Sequence, residues 1–320
     1  MKRDYRFDIA RVLCMTCIVA YVHLYGYIYN VKSAYFIPEC AVLTDACLGL
    51  FTFISGSLIG VKYCFSNKWG GVWQFYKKRL LRIFPLFLLA AIALYLIGFN
   101  GGRATLNGVL CISPFVKPAP MTLWYIPVIM ICYLLTPLIC RKGFLWRFIS
   151  ALGIFAVICV LRKLVPSMDW RLQFNLFFYL MGLVSAPYFD WKFSKIPWMK
   201  WLIIVLFVVL LIIAHIYAPS SLYKRFFAGI GVFAVLFVCD GLSEKIFKTE
   251  NSVAKILTDI SYASMACYMF HRFFFWGGEI VWNPSCHWLK WLYMAGVVFP
   301  IMLTLSFYIQ KWYDKLVKNL

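Results

Sequence analysis

Acidic residues are scarce in this sequence: 12 Asp and Glu among 320 residues, against 32 Lys and Arg. All charged residues together make up only 14% of the chain, too little polar surface to wrap a soluble domain of this length. No hydrophilic stretch is long enough for a second soluble domain, so residues 1–320 are expected to form a single membrane domain. No internal repeat or low-complexity tract is visible, which counts against transporters built from paired repeats with broken helices. The apolar N-terminal segment MKRDYRFDIARVLCMTCIVAYVH lacks a small-residue cleavage site and is interrupted by Asp8, Arg11 and His23. It is therefore expected to stay in the protein as the first span rather than leave as a signal peptide. Too few of the 12 cysteines fall in loops to make a disulfide framework. Cys14 and Cys17 form a C-x-x-C, but inside an apolar run, where thiols act as small apolar side chains. No metal site is expected.

What the chain has in abundance is apolar mass: 63% hydrophobic, 20% aromatic, with a mean hydropathy of +0.80. A helical span needs roughly 20 apolar residues. Apolar runs separated by loop signals fall near 7–28, 41–61, 80–98, 122–140, 147–165, 172–189, 198–218, 226–242, 256–276 and 289–310. Lipid cannot satisfy an open backbone, so all of them should be helices. The fold class expected is all-α, a polytopic transmembrane bundle of about ten spans, with both termini cytoplasmic.

The formal charge of +20 fits that topology. With an inside N-terminus, basic residues fall about twice as often in inner as in outer segments, as the positive-inside rule requires. Inner segments include Lys2, Arg3 and Arg6, then Lys68, Lys77, Lys78, Arg79 and Arg82, then Arg141, Lys142 and Arg147, then Lys192 and Lys195. Nucleic acid is excluded as a partner, since no basic face lies outside the membrane segments. Contact with membrane lipids is expected. The connection 99–120, rich in Gly and Pro, reads as an outer surface loop that dips back toward the bundle. Trp282, Trp288 and Trp291 read as an interfacial belt.

Ionisable groups inside spans are costly and are functional suspects by default. Arg11 and His23 lie twelve residues apart in the first span, ~18 Å of helix rise, so His23 sits in the outer half. A histidine there can take a proton from a hydroxyl near neutral pH. The bland reading is a bundle-facing histidine satisfied by a neighbour. Asp45 is a second intramembrane suspect, able to orient His23 or to pair with Arg11 or Arg272. The cations Lys77, Lys78, Arg79 and Arg82, placed at a cytoplasmic helix start, suit either anionic lipid or a phosphate ligand. Ser55, Gly56, Trp124, Tyr125 and Tyr133 suit either an acyl tunnel or helix packing. His215 and His287 have no motif around them.

Five segments carry a family resemblance. FDIARVLCMTCIVAYVH is similar to an opening motif of Asp, Arg and then His. GLFTFISGSLIG at 49–60, FYKKRLLRIFPLFLL at 75–89, TLWYIPVIMICYLLTPLI at 122–139 and ISYASMACYMFHRFFF at 260–275 resemble the later motifs, in the same order. Together they cover most of the chain and resemble the acyltransferase 3 family of membrane sugar O-acetyltransferases. The resemblance implies transfer of an acyl group, usually acetyl, from acyl-CoA to a carbohydrate hydroxyl on a lipid-linked or surface-polysaccharide sugar. It implies no bound cofactor beyond the acyl-CoA donor, and a bacterial inner-membrane location. It points to His23, Arg11 and Asp8 as catalytic, to Arg79, Arg82, Ser55, Trp124 and Tyr133 for the donor, and to Asp45, Tyr262 and His271 as further candidates. The donor's phosphates would lie near Arg79 and Arg82, with its thioester reaching toward His23. A multi-span transporter or flippase is the competing class.

One departure from the family pattern bears on the site. The family spaces its first-span Arg and His by ten intervening residues, but here eleven intervene. At ~100° per residue this turns the pair by ~120°. A π-bulge would restore the alignment; without one, Arg11 only anchors the helix end.

Overall fold

Helices and their connecting turns make up the protein, with no strand among the described residues. The computed structural model describes residues 4–29, 37–65, 69–141, 143–188, 197–217, 219–247 and 252–318. In chain order the helices are α1 (Tyr5–Ile28), α2 (Pro38–Lys62), α3 (Trp69–Leu96), α4 (Gly102–Val109), α5 (Tyr125–Ile139) and α6 (Phe144–Leu164). They continue with α7 (Trp170–Ser185), α8 (Pro197–Tyr217), α9 (Ser221–Ile246), α10 (Ser252–Val281) and α11 (His287–Lys318). The first and last each contain a π-helical turn, at Cys17–His23 and Met294–Val298.

Each of the ten expected segments coincides with a helix over its described residues, and among the described residues 7 helices are long and apolar enough to cross a membrane. The other three expected spans differ from these in length or polarity. Helix α5 has 15 residues, α7 has 16, and α10 has 30 but carries Lys255, Asp259, His271, Arg272 and Glu279. Helix α3 begins eleven residues before the expected span start, so Lys77, Lys78, Arg79, Arg82 and Pro85 lie within it rather than at its entrance. Pro85 lies inside α3, a position that membrane helices tolerate. The 99–120 connection is more ordered than a plain loop. It carries α4, the Asn100 side chain accepts from the Met121 amide (2.8 Å), and Asn107 donates to the Pro118 carbonyl (3.0 Å). Lys2, Arg3, Lys68, Lys142, Lys192, Lys195 and the terminal Leu320 lie outside the described residues.

The chain divides into two compact units, residues 1–51 with 192–320, and residues 52–191. In the first unit α1 packs on α9 and α10, α10 on α11, and α8 on α9. Its core joins Met15, Val19, Leu24 and Ile28 of α1 to Cys267, Phe275, Met294 and Met302. The buried Asp240 carboxylate in α9 takes Lys200 of α8 (2.5 Å) and faces Arg6 of α1 (3.7 Å), which offsets the cost of burying these charges.

In the second unit α2 and α7 meet backbone to backbone. A Cβ on Gly56 would strike the Tyr179 carbonyl, one on Gly60 the Leu183 carbonyl, and one on Gly182 the Phe53 carbonyl. Small residues four apart permit that approach. Arg147, expected as a topological cation, is buried instead. Its guanidinium donates to the carbonyls of Gly60 (2.8 Å) and Tyr63 (3.1 Å), acceptors left open at the end of α2, and to that of Arg141 (3.0 Å) just after α5.

Candidate active site

The first unit holds the expected catalytic trio, in two separate groups. Near the start of α1, the buried Asp8 accepts a hydrogen bond from the Ser261 hydroxyl of α10 (2.8 Å). Arg11 lies 3.6 Å from the same carboxylate oxygen. Asp8 thus fastens α1 to α10 at that end, with Arg11 beside it on its own helix. His23 is 2% exposed and lies ~18 Å further along the helix, so it does not touch Arg11. The π turn at Cys17–His23 nonetheless restores the register. A π turn takes up one extra residue, so the twelve-residue step behaves as eleven and leaves the pair ~20° apart around the axis. No proline or glycine in CIVAYVH announces that turn.

His23 meets another histidine. Its Nδ1 lies 2.7 Å from Nε2 of His271 in α10, and the two ring planes differ by 3°. The Nδ1 of His271 in turn lies 2.7 Å from the Tyr268 carbonyl, three residues back on the same helix. Both rings are buried, and Phe275 packs edge-on against His271 at 6.1 Å. Arg272 lies over the Tyr27 ring at 5.2 Å, adding a cation to this end of the unit. The sequence supplied both histidines as candidates but not their contact, because 248 residues separate them.

The expected donor residues lie in the second unit. Arg79 rests between Phe75 (5.7 Å) and Tyr133 (5.3 Å), and its buried Nε has no hydrogen-bond partner among the described residues. A buried guanidinium nitrogen left in that state invites an anionic acceptor. Arg82 is exposed three residues on, together with Lys77 and Lys78. Tyr133 is buried against Tyr179, whose hydroxyl meets Thr136 (2.5 Å). Ser55 is half-buried on α2, one residue before the Gly56 contact, which places it in the packing seam with α7.

Trp124 lies ~13 Å along α5 from Tyr133 and has a different partner. The Arg171 guanidinium stacks on its ring at 3.9 Å, and Arg171 also binds Asp169, the cap of α7. Burial alone would raise the Asp169 carboxyl, but its hydrogen bonds and charge contact with Arg171 hold it below the usual aspartate range. Thr122 just before adopts a left-handed φ of 68°, which a β-branched residue rarely takes.

Asp45 is half-buried on α2. Tyr262 is nine residues, ~13 Å, from His271, and its hydroxyl donates to Asp314 (2.5 Å), tying α10 to α11. His215 pairs with Glu39 (2.8 Å), and His287 donates from Nδ1 to the Ile28 carbonyl (3.0 Å). Trp282, Trp288 and Trp291 are exposed, as interfacial residues would be. Cys14 and Cys17 are free thiols, and among the described residues no group of three His, Cys, Asp or Glu could hold a metal ion.

Long apolar helices that bury ionisable side chains define an integral membrane protein. The family described as acyltransferase domain matches residues 4–311, nearly the whole chain. The protein therefore belongs to the acyltransferase 3 family and is a membrane acyltransferase. Neither the curated proteins nor the solved structures gave a match.

Proposed function

We propose that the protein is an acyl-CoA-dependent O-acyltransferase of the bacterial inner membrane, with both termini cytoplasmic. It moves an acyl group, acetyl by preference, to a hydroxyl of a lipid-linked or surface-polysaccharide sugar. The observation that carries this reading is the buried His23, held by His271 inside a membrane-spanning helix. His23 removes the proton of the acceptor hydroxyl as its oxygen attacks the thioester carbonyl. The carbon–sulfur bond breaks, CoA leaves as the thiolate, and the proton held on His23 returns to that sulfur. Arg79 and Arg82 bind donor phosphates, a reading supported by the buried Arg79 Nε, which has no hydrogen-bond partner among the described residues.

Family membership favours this chemistry over the transporter or flippase reading. The test is release of free thiol from acetyl-CoA by the purified full chain, with and without an acceptor glycan. Acceptor-dependent release is expected. Absence of release with every acyl donor and glycan tried, alongside solute uptake in vesicles, would overturn it.

A further inference from the structure

The two buried histidines form a hydrogen-bonded chain with one fixed end. The Tyr268 carbonyl can only accept, so Nδ1 of His271, 2.7 Å away, carries a proton. In the neutral ring, Nε2 of His271 then holds the lone pair. That lone pair lies 2.7 Å from Nδ1 of His23, which must be the donor. Reversing the chain would face the lone pair of His271 Nδ1 against the carbonyl oxygen.

We infer that His271 is a positioning residue: through the Tyr268 carbonyl it fixes His23 as the Nδ1–H tautomer, with the lone pair on Nε2. This rests on the reading of His23 as the base, since a neutral imidazole accepts a proton only at its unprotonated nitrogen. The rings are parallel to within 3° with centroids 4.7 Å apart, and the 2.7 Å between the two nitrogens is a hydrogen-bond distance. Burial of both rings keeps water from competing for either nitrogen. In serine hydrolases a carboxylate orients the base and selects its tautomer. Here a carbonyl and a second imidazole do so without burying another charge.

The test uses the full chain in detergent with ¹⁵N-labelled histidine. Its four histidines keep the spectrum simple enough to assign by single replacements. His23 is expected to be protonated at Nδ1. His271→Gln places an amide oxygen near the position of Nε2, so it should keep that tautomer and retain kcat within about tenfold. His271→Leu removes the acceptor. His23 should then move toward Nε2–H, and kcat should fall by about a hundredfold or more with little change in donor KM.

A wild-type His23 protonated at Nε2 overturns the inference. So does an unchanged tautomer, or normal kcat, in a folded His271→Leu protein. If His271→Leu does not fold, the wild-type spectrum and the Gln variant decide. The spectrum does not depend on turnover, so absence of any transfer would sink the proposed function while leaving this assignment to be judged on its own. Normal kcat in His271→Leu beside an inactive His23→Gln would sink the assignment alone.

Discussion

Gly56 lies so close to the Tyr179 carbonyl that a Cβ on it would overlap the oxygen. Because the obstacle is backbone, it cannot swing away, and the α2–α7 contact must open to admit a methyl group. Gly56→Ala should cost ~1–3 kcal/mol of stability, as overpacking usually does. Gly153→Ala is the control. Its Cβ would meet nothing within 4 Å, so it should be neutral or slightly stabilising. Thermal unfolding in detergent measures both, and equal midpoints for the two variants would refute the close contact.

Asp169 gives a pH dependence with a definite sign. Its carboxyl is held below the usual range in the folded protein, mainly by Arg171 working against burial. A depressed folded value means a stabilising contribution that is complete above the unfolded value of about 4 and is lost as pH falls through the folded one. Wild type should therefore melt above Asp169→Asn at pH 6, and the gap should shrink as the pH drops below about 4. A gap independent of pH would mean that the charge of Asp169 contributes nothing.

The helical class was legible because lipid leaves the backbone few choices, and each apolar run falls on a helix, 7 of which, among the described residues, are long and apolar enough to cross a membrane. The entrance to α3 was misplaced because WGGVWQFYKKR is too polar to read as a span, yet it continues the same helix. Arg147 looked like one more inner-face cation, and nothing near it in sequence reveals that it closes on Gly60 and Tyr63, more than eighty residues earlier. The twelve-residue interval between Arg11 and His23 did carry its own signal. One residue too many for a shared face points to a π turn, and one is present at Cys17–His23. The His23–His271 contact left no such trace, since each histidine sits in its own motif.

Topology can be tested without activity. With both termini cytoplasmic, reporter fusions after Leu320 and within 99–120 should report opposite sides. Fusions reporting the same side would remove the arrangement of about ten spans inferred from charge.

Arg79 and Arg82 separate donor binding from topology. Losing a charge-assisted contact to phosphate costs ~1.5–3 kcal/mol, so Arg79→Ala and Arg82→Ala should each raise donor KM about ten- to a hundredfold. The effect should be larger at Arg79, which is more buried and whose Nε has no hydrogen-bond partner among the described residues. Unchanged acyl-CoA binding in both variants would return these residues to a role in membrane orientation or lipid contact.

His23 carries the mechanism, and its replacement is the sharpest test of it. The ring is buried, ionisable and held by a partner on another helix, in a span where such groups are expensive to keep. Loss of a general base usually lowers rate by 10²- to 10⁴-fold, so His23→Ala should abolish measurable transfer while the protein still inserts. The alanine variant also leaves a cavity, which confounds the result with packing. His23→Gln avoids most of that: it fills the space and can still hydrogen-bond to His271, but it cannot take up a proton. Steady-state thiol release with donor and acceptor both saturating is the measurement. A large fall in kcat with unchanged donor KM and melting temperature is the expected result. Near-wild-type turnover in the Gln variant would make His23 a structural residue and end the proposed mechanism.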